Sequence, residues 1–390
     1  QPFFGLVNFA ITHESGIFLP LGSWPNSFTH LLMQVMRAVS LPSVEEGAPV
    51  SAQQVPVPPY YPDTPTVRSD IARHYNNIAA MDQQLGELLA ELERDGLADT
   101  TIVIWTTDHG DGLPRAKREL YDSGIRVPMI IRWPEAYRPA GAEPGSLETR
   151  LVSFVDLAPT ILELAGETAP EYMHGRNFLS GEPRRYVFAS RDRIDEVADR
   201  QRAVRDERYK YIRSYYPGQP GGHHLDYRDN MEMMLELWSL LEAGELDEHQ
   251  RLWFEAPGEE RLFDLDEDPY ELNNLLADPA HAAALQRMRR ALSDWQAGVE
   301  DWSDVPEAQM LARFRPGGEA PETGAPQLLF RDGFLHLSSP TEGASLAYQF
   351  GDGAWQIYTG PIALPAGTEL AARAVRYGWQ ESAVVTGIAP

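Results

Sequence analysis

The chain has 390 residues, 43% of them hydrophobic and 23% charged, which allows a substantial core and more than one folded unit. Its formal net charge of -25 is spread along the sequence rather than gathered in a tail; this argues against a nucleic-acid partner and for an acidic, solvated surface. No run of about 18 apolar residues occurs, so no membrane span is expected, and the absence of cysteine removes disulfide and thiolate chemistry from these residues.

Gln1-Pro2-Phe3-Phe4 leads into Gly5-Leu6-Val7-Asn8-Phe9-Ala10. This stretch is short and lacks a basic flank. It reads as a buried strand over 1–12 running into Thr12-His13-Glu14-Ser15, as though the chain began inside a fold, and not as a signal peptide. Residues 16–65 are loop-rich, with a short helical stretch predicted near Ser27–Val39. From 66 to 95, Val67, Ile71, Tyr75, Ile78, Met81, Leu85, Leu88 and Leu92 recur every three or four positions, which predicts a helix capped by Thr66 and stopped at Gly96. The β-branched run Thr101–Thr106 predicts a central strand that ends at Thr107-Asp108-His109-Gly110; polar residues at such a strand end are where open α/β sheets place their sites. Another strand is predicted at Val127–Arg132 and a helix at Asp156–Ala165 closed by Gly166.

Residues 184–302 change character. Short strands at Tyr186–Ser190, Ala203–Arg205 and Tyr209–Arg213 alternate with polar turns, and helices are predicted at Glu232–Leu241 and Ala280–Trp302. Residues 303–326, rich in Pro, Gly, Glu and Ala, read as a linker. Residues 327–390 are all-β in pattern, with runs at Leu335–Leu337, Ser345–Phe350, Trp355–Tyr358, Leu370–Val375 and Ala383–Thr386, and predict a small β-sandwich.

Asp108 and His109 offer a hard oxygen and an imidazole nitrogen at the end of a strand, a pairing that suits a divalent cation but equally an ordinary polar turn. Lys117 follows within Leu113-Pro114-Arg115-Ala116-Lys117-Arg118-Glu119-Leu120-Tyr121-Asp122-Ser123-Gly124-Ile125-Arg126-Val127-Pro128. A basic loop between two strands is what an anionic group needs, because Lys and Arg stabilise charge that grows in a transition state. Only two lysines occur, Lys117 and Lys210, against 31 arginines among 33 basic residues; a retained lysine in so arginine-rich a chain draws attention to its compact ammonium.

The order Asp108-His109-Gly110, Lys117, then Tyr121-Asp122-Ser123-Gly124-Ile125-Arg126-Val127-Pro128 resembles the sulfatase family of the alkaline-phosphatase superfamily. So do Met81-Asp82 on the upstream helix, Asn8-Phe9 with Thr12-His13-Glu14, Ser153–Thr160, His174-Gly175-Arg176, Arg205–Ile212 and Leu262–Glu271; the similarity spans roughly residues 1–300. The resemblance implies an α/β fold, a sulfatase-like sheet flanked by helices, with a smaller antiparallel α+β subdomain. It also implies hydrolysis of a sulfate ester or sulfamate on a sulfated carbohydrate. Asp108 would bind Ca2+, His109 would assist at the metal or the nucleophile, and Lys117 would contact the sulfate. His13 would contact the sulfate or the leaving oxygen, a natural place for a general acid, and Arg115 is a weaker candidate, equally a substrate contact or a solvated arginine. The family's formylglycine motif, Cys/Ser-x-Pro/Ala-x-Arg, and its first pair of metal-binding aspartates are not found in these residues and are expected upstream of residue 1, so turnover from these residues alone is not expected. The Arg-x-Lys spacing after Asp-His-Gly resembles the sulfamidase-like branch. A phosphonate or phosphate ester hydrolase of the same superfamily, or a non-catalytic glycan-binding remnant, are the alternative readings.

A second resemblance joins Leu337–Ala344, Tyr358-Thr359-Gly360-Pro361-Ile362 and Gly367–Ala374 to the Fn3-like sandwich that ends chitobiases and some hexosaminidases; Trp355 and Tyr358 are either sugar-stacking or core aromatics. The organisation expected is therefore 1–183 catalytic, 184–302 subdomain, 303–326 linker and 327–390 sandwich. Export to the periplasm or the medium is expected by analogy with carbohydrate sulfatases.

Overall fold

The computed structural model describes residues 3–18, 22, 24, 28–45, 50–299 and 301–390, and divides into two compact units, Gln1–Glu300 and Asp301–Pro390. The first unit is α/β. Helix α1 (Phe28–Glu45) and helix α2 (Pro65–Arg94) precede strand β1 (Val103–Thr106). After it come a single helical turn, α3 (Asp122–Ile125), strand β2 (Met129–Arg132) and helix α4 (Leu157–Leu164). The chain then builds a four-stranded antiparallel sheet from β3 (Val187–Ile194), β4 (Val197–Arg205), β5 (Tyr209–Ser214) and β6 (Glu260–Asp264), in that order across the sheet. Helices α5 (Glu232–Ala243) and α6 (Glu248–Arg251) lie between β5 and β6 in sequence, and α7 (Ala282–Ala297) follows.

Helix α2 starts one turn-residue earlier than its pattern suggests. Thr64, not Thr66, is the cap: its hydroxyl accepts from Val67 N at 3.2 Å, and Pro65 takes the first helical position, where its missing N–H costs nothing. The helix ends where predicted. Gly96 adopts φ +68°, and Leu97 N bonds to Leu92 O at 2.9 Å while Gly96 N bonds to Glu93 O at 3.1 Å, a Schellman stop that needs a residue without strain in the left-handed region. Its stripe is not buried throughout: Val67, Ile71 and Met81 are buried, whereas Tyr75 and Ile78 are exposed.

The antiparallel sheet separates two cores by the alternation of its side chains. Ala203, Ile212 and Phe263 face Val67, Ile71, Met233, Met234 and Leu237 from α2 and α5. Their neighbours Val204, Tyr211 and Leu262 face Leu285, Met288 and Leu292 of α7. Each buried Val, Leu, Ile, Phe or Met among them contributes about 1.5–3 kcal/mol, so the sheet is anchored on both faces.

Two expectations fail here. Residues 3–9 are not a buried strand: they form no ladder among the described residues, and Phe3, Phe4, Leu6 and Val7 are exposed. Apolar content marks a segment that can be buried, but a strand requires a partner edge. Strand β1 is likewise not central among the described residues; it pairs only with β2, antiparallel, Val103 opposite Arg132 and Thr106 opposite Met129. The short helix expected near 27–39 is longer, α1 reaching Glu45; Ser27, Gln1 and Pro2 lie outside the described residues.

The second unit opens with helix α8 (Glu307–Phe314), within the stretch read as a linker. Two sheets follow, one of β10 (Gln356–Ile357), β9 (Ser345–Phe350), β12 (Glu369–Val375) and β13 (Val385–Ile388), the other of β11 (Ile362–Ala363), β8 (Phe334–Ser338) and β7 (Gln327–Arg331). Leu328, Phe330, Leu335 and Leu337 from one sheet pack with Leu346, Phe350, Leu370 and Ala372 from the other, which is the one shared core of a sandwich. Tyr358 packs against this core, and Trp355 carries the Arg373 guanidinium 4.3 Å above its ring.

Candidate active site

Strand β1 delivers its polar end to a turn fixed by local hydrogen bonds. Thr107 Oγ1 donates to His109 O at 2.8 Å, and His109 N donates to Asp108 Oδ1 at 3.1 Å. His109 Nδ1 lies 2.8 Å from Gly110 O. A carbonyl only accepts, so Nδ1 carries the proton and Nε2 presents its lone pair. The Asp108 carboxylate is 88% exposed.

From there the chain makes a closed loop. Gly110 N bonds to Gly124 O at 2.9 Å and Asp111 N to Ser123 O at 3.2 Å, so residues 110–124 return to their starting point. The approach is too close for side chains: a β-carbon at Gly110 would collide with Ser123 O, and one at Gly124 with Ala116 O and Glu119 O. Lys117 stands on this loop with its side chain 20% exposed.

The turn at residues 13–16 meets the loop. A β-carbon at Gly112 would sit 3.1 Å from Glu14 Cα, and Lys117 Nζ lies 3.4 Å from Glu14 Oε1. His13 Nδ1 accepts from Ser15 N at 3.4 Å and lies 2.8 Å from Ser15 Oγ, so in the neutral ring Nε2 holds the proton. Burial, then the nearby Lys117 charge, pushes the His13 pKa below its ordinary value; Glu14 and Asp108 oppose this and His109 adds to it. The lowered pKa favours the neutral His13 ring, with Nε2–H as a donor, at neutral pH.

Arg115 is elsewhere. It is 3% exposed, its guanidinium 4.2 Å from the Tyr60 ring and 4.0 Å from the Tyr121 ring, and Nη2 donates to Tyr270 O at 2.8 Å and Glu271 O at 3.1 Å. The expected substrate contact is corrected to a buried anchor between aromatic faces, because carbonyls and π-faces already occupy the cation. Glu14 and Arg118 were missed as site residues. Glu14 is 1% exposed and accepts Arg118 Nη1 and Nη2 at 2.7 and 2.8 Å. Burial raises the Glu14 pKa, but the Arg118 bonds and charge, with Lys117, bring it below the ordinary carboxylate range. Both residues stand next to predicted ones in sequence, which was the available signal.

Asp108 and His109 supply two donors, fewer than the six to eight oxygens a Ca2+ ion takes. Among the described residues no group of three or more His, Cys, Asp or Glu side chains is placed to hold a metal. These residues alone therefore do not make a cation site.

The sulfatase family model matches residues 43–167, and a model described as N-sulphoglucosamine sulphohydrolase, C-terminal, matches residues 115–236. An ulvan-active sulfatase of Formosa agariphila is 37% identical over 413 residues, covering 99% of this chain and 68% of its own length. The chain belongs to the sulfatase family. This sulfatase chain is also 28% identical over 279 residues to the N-sulphoglucosamine sulphohydrolase of Homo sapiens, covering 67% of the chain and 54% of that protein. Among solved structures it is similar to BT4656 in complex with its substrate D-glucosamine-2-N,6-O-disulfate, at 19% identity and a TM-score of 0.46, covering 72% of the chain and 50% of that one. No described helix of this sulfatase is long and apolar enough to cross a membrane.

Proposed function

We propose that this chain forms the anion-holding side of an exported hydrolase that cleaves sulfate esters, or sulfamates, on a sulfated polysaccharide. The reading is supported by Lys117 Nζ lying 3.4 Å from Glu14 Oε1, next to His13 in sequence, and by the Asp108 carboxylate standing open to solvent on the turn that leads into the same loop. Lys117 would pair with a non-bridging sulfate oxygen and stabilise charge that builds on it. His13 Nε2–H would hydrogen-bond the leaving sugar oxygen; only the imidazolium form could hand over a proton there, and the lowered pKa makes that form the minor one at neutral pH. Asp108, with His109, would contribute to a divalent-cation site, Ca2+ in this reading, whose other ligands lie outside the described set. When bound, such a cation supplies positive charge to the sulfate oxygens. These residues include no cysteine from which a formylglycine could form.

The 37% relative is named for ulvan, which makes ulvan oligosaccharides the first glycan to test, and heparan-type N-sulfoglucosamine the second. The test is made on the product of the whole reading frame that encodes these residues. Sulfate release from ulvan oligosaccharides is measured beside hydrolysis of matched aryl sulfate and aryl phosphonate esters. Sulfate release is expected, with Lys117→Ala lowering kcat/KM by roughly 10²–10³ through loss of one charge-stabilising contact. Turnover of the phosphonate without any sulfate ester, or an unaffected Lys117→Ala variant, would overturn the reading.

A further inference from the structure

Two residues that carry a β-carbon hold the left-handed region on either side of Lys117: Arg115 at φ 59° and Arg118 at φ 77°. Side chains other than glycine keep this backbone only where their surroundings over-determine it, and such positions cluster at functional sites. Arg115 is held by the aromatic pair and the carbonyls described above. Arg118 is held by carboxylates: both oxygens of Glu14, and Asp195 Oδ2 at 2.8 Å from its Nε, Asp195 itself lying at φ 47° in the turn between β3 and β4.

The charges around Glu14 do not sum as a simple pair. Its buried carboxylate is shared by Arg118, bidentately, and by Lys117 at 3.4 Å. A bidentate guanidinium satisfies a carboxylate in both charge and geometry. The Lys117 ammonium is therefore fixed in place by Glu14 without being neutralised by it, and its charge remains for an incoming anion. With Arg118 gone, Lys117 and Glu14 would instead form a closed ion pair.

We propose that Glu14 and Arg118 are positioning residues for the anion site: Glu14 fixes the Lys117 ammonium beside His13, and Arg118 offsets Glu14 so that the ammonium stays available. This rests on the reading that Lys117 meets a sulfate. It predicts opposite effects from two nearby substitutions, which a merely structural role would not produce. Glu14→Gln frees the ammonium; Arg118→Gly, which suits the left-handed backbone, locks the ammonium onto Glu14.

Because Lys210 is fully buried and Lys117 is the other lysine, a limiting acetylating reagent reports on Lys117 through one peptide by mass spectrometry. The full chain is labelled with and without excess inorganic sulfate, with chloride of equal ionic strength as control, and melting curves confirm folding. In the wild-type chain sulfate, but not chloride, slows Lys117 acetylation. Without sulfate, Glu14→Gln labels several-fold faster than wild type and Arg118→Gly several-fold slower. In both variants sulfate protection weakens by about tenfold, the loss of one charge-assisted contact, and Arg118→Lys restores part of it. If both variants label and protect as wild type does, the positioning roles are wrong while the sulfate site stands. If sulfate fails to protect even the wild-type chain, the sulfate reading falls and this inference with it. A variant that does not fold is replaced by Glu14→Asp, which keeps the charge but retracts it by one methylene and is expected to label between wild type and Glu14→Gln; wild-type labelling there overturns the proposal.

Discussion

Lys210 is the buried hinge between the loop that bears Lys117 and the antiparallel sheet, and its removal gives a sharp test of that connection. It stands on β5 opposite Arg205 and Phe263, fully buried, with Nζ 2.5 Å from Asp122 Oδ1 and 2.8 Å from Glu271 Oε1. The ammonium meets both carboxylates at ion-pair distance and is the charge they share. Glu271 Oε2 also accepts Asp122 N at 2.5 Å, and the Glu271 carbonyl accepts Arg115. Lys210→Met keeps the length of the side chain and removes the charge. Asp122 retains a weak partner in Arg205 Nε at 3.4 Å, but the Glu271 carboxylate is left buried without a cation. Breaking one side of a buried ion pair costs about 3–5 kcal/mol; the Arg205 contact places the expectation near the lower end, about 3 kcal/mol. Hydrogen exchange read by mass spectrometry resolves this locally: amides of β5 and of residues 265–272 should exchange roughly a hundredfold faster when opening governs exchange. Adding Glu271→Gln removes the stranded charge and should recover most of the loss, to within about 1 kcal/mol. A single variant whose exchange rises less than about tenfold, or a double variant no better than the single, would refute the assignment of Lys210 as the charge that joins loop to sheet.

Two further outcomes follow from the same geometry. Gly124→Ala would drive a β-carbon into the carbonyls of Ala116 and Glu119, so the closed loop must open; a loss of about 2–4 kcal/mol is expected in calorimetric unfolding, and a neutral substitution would show that the loop is not tightly closed. Acid should weaken the first unit through Glu14, Glu119, Asp122 and Asp156. Burial raises each of these, but Arg118, Arg191, Lys210 and Arg184 respectively outweigh it, so all four lie below their ordinary values of 4.5 or 3.8. With the folded pKa below the unfolded one, their stabilisation is complete above about pH 5 and is lost as pH falls through the folded values, below about pH 4. Asp70 opposes them: burial outweighs Arg73 and lifts it to about 6, so its own contribution declines as pH rises from about 4 to 6. A melting temperature that stays level from pH 5 to pH 3 would contradict the four depressed carboxylates.

What was legible in the sequence was what depends on order and period. Strand β1 and the turn Asp108-His109-Gly110, helix α2, the sheet strands β4 and β5 and the alternating runs of the sandwich each carry their signal in neighbouring residues. What escaped depends on partners far away in the chain. The apolar run at 3–9 looks like any buried strand, yet whether it is one is decided by an edge that is not local. The helix Glu307–Phe314 hides in a stretch whose Pro and Gly content reads as linker, because eight residues make only about two turns and repeat their pattern too few times to stand out between such flanks.

Arg115 and Glu14 show the same limit at the site itself, in opposite senses. Arg115, two residues before Lys117, has the composition of a substrate contact, and only Tyr60 and Tyr121, brought from 55 residues before it and six after, show it to be an anchor. Glu14, one of 58 acidic residues in a chain of net charge -25, has the composition of surface, yet it is the carboxylate on which Lys117 and Arg118 both rest. In so acidic a protein the proposed anion site cannot depend on overall charge, because a net charge of -25 repels a polyanion. It depends on a few cations whose nearest carboxylates are already satisfied by a guanidinium, and that arrangement is set by burial and not by sequence neighbours.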